Sequence, residues 1–204
     1  MKFYILASLI IFVLVIYHNI RKSGKQMAAE EMDFWEKERM ANEVRRKSLD
    51  GLDYIQIPLE ELPMHLLEED SKVSECLRII NELSMQPIVN LTGLSNTDLK
   101  LEYGTANITV LSEYDQNYTL LASTLQQWAD LLYNKGYAEE TRQILEFAVS
   151  THTDVSRSYD MLSDIYVANG EFHKISDLIN IAETLNSLSR DIILRHLQQK
   201  SVRS

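Results

Sequence analysis

From Ser71 onward, apolar positions recur with the period of a helix rather than a strand. Val73, Cys76, Leu77, Ile80 and Leu83 fall on one face of a first helix, with Ser71 as its expected N-cap and Pro87 beyond its end. A shorter helix is predicted from Ser95 to Tyr103: Ser95 offers the N-cap, Asp98 suits the first turn and Gly104 is the stop. The strongest stripe is Tyr118, Leu121, Ala122, Leu125, Trp128, Ala129 and Leu132, ended by Asn134-Lys135-Gly136. Ala138 to Val149 answers it through Thr141, Ile144, Leu145 and Ala148. Tyr159, Leu162 and Tyr166 face inward before Asn169-Gly170, and Phe172, Ile175, Ile179 and Ala182 form the return helix. A last helix, Ser189 to Gln199, carries Ile193, Leu194 and Leu197 and is expected to cap the open end. The predicted class is all-α.

Upstream the pattern changes. Phe3 to Tyr17 carries no charge, and the uncharged run continues to Ile20, a length near the lower limit for a membrane-spanning helix. Tyr4 and Tyr17 stand where an aromatic belt would place them. The run ends in His18-Asn19-Ile20-Arg21-Lys22, without the small residues of a signal-peptidase site, so residues 1–22 read as an uncleaved transmembrane anchor. Arg21, Lys22 and Lys25 outweigh Lys2 and the amino terminus, which predicts a single-pass protein of the cell membrane with a cytoplasmic C-terminal domain.

Residues 23–50 are densely charged. Glu30, Glu31, Asp33, Glu36 and Glu38 come first and Arg45, Arg46 and Lys47 later, an order that suits the dipole of a helix leaving the membrane. Met32, Trp35, Met40 and Val44 are too sparse for a coiled coil, so a solvated stalk helix is expected. Residues 51–70 read as an extended linker. Asp50-Gly51 marks a turn, Tyr54 to Ile57 alternates like one short strand without a partner, and Pro58 and Pro63 bracket a helical turn. Residues 71–204 form the expected helical domain.

Within that domain one constant step links Gly136 to Gly170, Ala148 to Ala182, Leu125 to Tyr159, Trp128 to Leu162, Ala129 to Ser163, Leu132 to Tyr166 and Leu145 to Ile179. A period of this length means a pair of antiparallel helices used twice, here at about 122–155 and 156–189. The segment resembles the tetratricopeptide repeat. Its second unit matches through Tyr159, Leu162, Ser163, Tyr166, Gly170, Phe172 and Ala182, with Ile175 and Ile179 in place of the usual small residue and Phe. The first unit is weaker and lacks a third repeat upstream, because the same step back from Gly136 lands on Glu102. Residues 71–117 must then supply extra helices.

The resemblance implies that the first helix of each unit lines a concave partner groove. Its projected residues are Ser123, Gln126, Gln127, Asp130 and Asn134, then Arg157, Asp160, Asp164 and Val167. The set is polar and net acidic and lacks the Lys and Asn pattern of a carboxylate clamp, so a basic or neutral peptide is the expected partner. The alternative is that these residues are merely exposed on a small helical domain.

Composition adds exclusions. A net charge of −10 leaves no basic footprint for nucleic acid. Cys76 is the single cysteine, so there is no internal disulfide or thiol-held zinc, and its place on an apolar stripe makes it a core thiol. His18, His65, His152, His173 and His196 are scattered without a helical pair, and His65 beside Glu68 and Glu69 reads as surface charge pairing. No P-loop, GxGxxG, HExxH or GxSxG occurs. Asn90, Asn107 and Asn117 begin N-x-[ST] triplets of the kind expected by chance. The sequence therefore points to a non-catalytic, cofactor-free scaffold at the membrane. A structural subunit of a membrane complex is the first rival, and an enzyme with an unrecognised helical site the second.

Overall fold

The computed structural model describes residues 31–202. The expected anchor, 3–20, lies outside them, as does the start of the charged segment. Among the described residues no helix is long and apolar enough to cross a membrane. The elements are α1 (31–43), α2 (Ser71–Leu83), α3 (Asn96–Tyr103), a 3-10 turn (Thr105–Asn107), α4 (Ile108–Tyr133), α5 (Ala138–Ser150), α6 (Ser156–Ala168), α7 (His173–Glu183) and α8 (Arg190–Val202). The described chain is thus all-α, with one isolated antiparallel bridge between Tyr54 and Val89. It divides into two compact units.

The first unit holds 31–47 and Ser95–Ile108. The charged segment is helical and largely exposed over 31–43, and within this unit it also pairs with α3. Ala41 is fully buried, Lys37 meets Asp98 at 2.7 Å, and Glu38 accepts from Thr97 Oγ1 at 2.7 Å and pairs with Lys100. Asn107 is buried as well: Arg46 Nε donates to its Oδ1 at 3.0 Å, and its Nδ2 donates to the carbonyls of Lys47 and Tyr103. Ser95 and Asp98 close a capping box at the start of α3. The Lys37 ammonium, aided by the Ser95 hydroxyl and amide, holds the Asp98 carboxyl down at about 2. Lys100 and Thr97 likewise hold Glu38 below its usual range.

The second unit holds Ser48–Leu94 and everything from Thr109 on. Tyr54 and Ile55 run extended, with Ile55 N–H donating to Ile88 O at 2.9 Å. The N-cap of α2 is Asp70, directly before the expected Ser71. Asp70 has the extended backbone a cap needs, and its Oδ1 accepts from the amides of Lys72 and Val73, while Ser71 is already inside the helix. α4 begins well before the stripe read from Tyr118. Leu111, fully buried two turns upstream, continues that stripe beneath a polar outer face.

The turns after α4 and α6 have the same construction. Gly136 and Gly170 adopt φ of 89° and 73°, a region that L side chains avoid. Tyr137 N–H donates to Leu132 O at 3.1 Å and Gly136 N–H to Tyr133 O at 3.0 Å. Glu171 N–H donates to Tyr166 O at 2.8 Å and Gly170 N–H to Val167 O at 3.1 Å. Both pairs of bonds are the Schellman arrangement that satisfies the last carbonyls of a helix.

Around these turns α5 packs on α6, α6 on α7, and α8 on both α6 and α7. Trp128 and Leu162 are both fully buried, as are Leu125 and Tyr159, and Ala129 and Ser163. The small residues admit close helix approach and the large ones fill the layers between. Buried tyrosines spend their hydroxyls on acceptors: Tyr118 on Thr151 O at 3.2 Å, Tyr159 on Thr153 O at 3.0 Å. Burial pushes the Tyr118 phenol up to about 12 and raises that of Tyr159 further.

Candidate functional site

Helical spacing along α4 brings Ser123, Gln126, Gln127, Asp130 and Asn134 to one side, where they line a groove of about 570 Å³ with Lys72, Leu131 and Val155. Gln126 forms its floor and is almost fully buried. Ser158 Oγ donates to its Oε1 at 2.7 Å, and its Nε2 donates to Asp130 Oδ1 at 3.1 Å. Arg157 reaches from α6 to Asp130, with Nε at 2.8 and 3.0 Å from the two carboxylate oxygens. Gln127 and Asn134 are exposed, and neither side chain is committed to a partner among the described residues.

Asp160 and Asp164 do not line this groove. They face α8, which packs across α6. His196 Nδ1 lies 3.1 Å from both carboxylate oxygens of Asp160, and Lys200 Nζ lies 2.7 Å from Asp164 Oδ1. Lys200 also donates to Asp160 O and Ser163 Oγ. Val167, at the end of α6, is 38 % exposed. The three carboxylates behind the expected acidic character thus all have partners within the chain: Arg157, His196 and Lys200. What the groove offers freely is the amides of Gln127 and Asn134 and the ammonium of Lys72, which makes no ion pair among the described residues.

Among the described residues no His, Cys, Asp or Glu group is arranged to hold a metal. Cys76 is buried and its thiol is pushed up by burial. His65 pairs with Glu68 at 3.1 Å on the surface. The three N-x-[ST] amides are each engaged: Asn90 Nδ2 donates to Thr151 O, Asn107 Nδ2 to Tyr103 O and Asn117 Nδ2 to Pro87 O.

A second cavity, of about 480 Å³, carries no signal in the sequence. Its walls are the extended stretch from Asp53 to Gln56, the loop at Asn90 and Thr92, and the C-terminal ends of α5 and α7 with the residues that follow them. His152, in the turn after α5, lines it with φ of 57°. No family model matches the chain, and no curated protein or solved structure matches it either.

Proposed function

We propose that this chain is a non-catalytic docking module: a tetratricopeptide-like stack of helix pairs, held at the membrane by residues 3–20 and displayed in the cytoplasm, that recruits a protein partner. The observation that carries this reading is the pair of matching helix ends. Gly136 and Gly170, one repeat step apart, close helices with the same two hydrogen bonds and the same left-handed backbone, and buried residues recur around them at that step. α6 and α8 begin at Ser156 and Arg190, again one step apart, so α8 takes the place a next first helix would take.

The partner is a protein or peptide, neutral or basic, whose backbone is met by the amides of Gln127 and Asn134. The internal pairing of Asp130 favours neutral over strongly basic character. Engagement of Asn90, Asn107 and Asn117 in structural hydrogen bonds fits an unglycosylated, cytoplasmic domain. The experiment is proximity labelling by the full-length chain in its own membrane, with Gln127→Arg plus Asn134→Arg against Gln143→Arg on α5 as control. The double variant loses neighbours that the control retains. If it retains all of them, the groove is not the docking site.

A further inference from the structure

Large apolar side chains are exposed unevenly over the described residues. Met32, Phe34, Trp35 and Met40 all stand exposed on α1, and no other described helix carries more than two such residues. Three of the four sit at positions 32–35, the N-terminal end of the described helix, with Met32 74 % and Trp35 60 % exposed. The rings of Phe34 and Trp35 meet edge to face, 5.5 Å between centroids. Contiguous apolar surface of this kind marks contact with something beyond the domain itself.

Within the first unit the other side of α1 is taken up. Lys37 and Glu38 pair with Asp98, Thr97 and Lys100, and Ala41 is buried. By helical spacing Met32 lies across the helix from these three, with Trp35 beside it. Position along the chain says what lies within reach. Met32 is twelve residues past Ile20, where the uncharged run ends. Twelve residues span about 18 Å as helix and about 40 Å fully extended, and the layer between hydrocarbon and water is only about 5–8 Å deep. A contact tethered this closely forms within one molecule at high effective concentration, so a few side chains suffice. Glu31, Asp33 and Glu36 share this end of α1, and Arg39 is paired with Glu36 at 4.0 Å, so attraction to anionic headgroups does not drive the contact. What drives it is apolar burial and the preference of an indole for the boundary, ring in the acyl region and N–H toward water.

We propose that Met32, Phe34 and Trp35 form a bilayer-contact site: the N-terminal end of α1 seats these side chains in the interfacial layer of the membrane that holds residues 3–20, with the neighbouring carboxylates left in the headgroup water. The lipid is zwitterionic and is recognised by apolar depth, not by headgroup charge. This inference rests on the anchoring of residues 3–20 proposed for the chain and adds a second point of contact to it. That contact fixes the first unit against the bilayer, where a tether alone leaves it free.

The two tryptophans of the chain make the contact measurable, because Trp35 is exposed and Trp128 is fully buried. The full-length chain is reconstituted in phosphatidylcholine vesicles, with and without bromine on the acyl chains near the headgroup, and tryptophan emission is read. Brominated lipid quenches the wild type but not Trp35→Phe, whose remaining indole is enclosed. The quenching persists in high salt, since no charge pair carries it, and Met32→Ser with Phe34→Ser reduces it. Each replaced side chain is at least half exposed, so these variants keep the fold. Alkaline extraction of the same vesicles separates this inference from the anchor. Release of the chain removes both, whereas retention with equal emission in the two lipids overturns the contact alone. Quenching abolished by salt, quenching unchanged in the double variant or equal in Trp35→Phe also overturns it. So does shielding of Trp35 that grows with protein concentration and ignores bromine, which assigns the face to a second copy of the chain.

Discussion

Ser158 Oγ donates to Gln126 Oε1 at 2.7 Å, and this one bond orients the floor of the α4 groove. With Oε1 taken from α6, the amide nitrogen of Gln126 must face Asp130, which it reaches at 3.1 Å. Ser158→Ala removes the donor and leaves a buried amide oxygen unpaired, at a cost of about 1–3 kcal/mol. Chemical denaturation reads that loss. An unchanged midpoint would show that the amide is not held from α6.

The matching turns predict matching costs. An added Cβ meets nothing within 4 Å at Gly136 or Gly170, so alanine there is opposed by the backbone alone. Gly136→Ala and Gly170→Ala should each destabilise by about 1–2 kcal/mol, the penalty for an L residue held left-handed. Costs that differ by more than the single-site scatter of about 0.5 kcal/mol would argue against equivalent turns.

The two layers should also respond alike to truncation. Trp128→Ala is expected to cost about 3–5 kcal/mol and Leu162→Ala about 2–5 kcal/mol, because both side chains are fully enclosed and leave cavities. Thermal unfolding of the single variants checks this, and a loss below about 1 kcal/mol at either site contradicts their core role.

Acid should loosen the first unit. The Asp98 carboxyl is held at about 2 by Lys37 and Ser95, against about 3.9 in an unfolded chain. Its stabilising contribution is therefore complete above about 4 and is lost as pH falls toward about 2. Protection factors across α3, corrected for the intrinsic exchange rate at each pH, should fall through that window, and Asp98→Asn should flatten the dependence. The opposite trend, with protection growing in acid, would contradict the pairing.

Residues 1–22 should hold the chain in the bilayer. The full-length protein is expected to stay with membranes through alkaline extraction, while a chain starting at position 23 is released, since the uncharged run from Phe3 to Ile20 suffices for a span. Release of the full-length protein would remove the anchor from the account.

Legibility followed the range of the interactions. The capping box of Ser95 and Asp98 and the stop at Gly104 were readable because all their groups lie within one short helix. The first cap is Asp70 rather than the neighbouring Ser71 because both are good caps by residue type, and only backbone geometry separates them. The repeat spacing was readable because Gly136 and Gly170 are demanded by local backbone shape. The pairing of Asp160 with His196 and of Asp164 with Lys200 was not readable, because it depends on where α8 lands. The burial of Ala41 in the first unit was hidden for the same reason, since the residues that fold with 31–47 begin only at Ser95. The second cavity draws on Asp53, Asn90, His152 and Asn186, which no periodicity connects.

The most direct test of the docking claim places a photo-reactive residue at position 127 of the full-length chain in its native membrane, with position 143 as the comparison. A discrete adduct with another polypeptide is expected from position 127, lost on Asn134→Arg and absent from position 143. No adduct from position 127, or the same adducts from both positions, would contradict it.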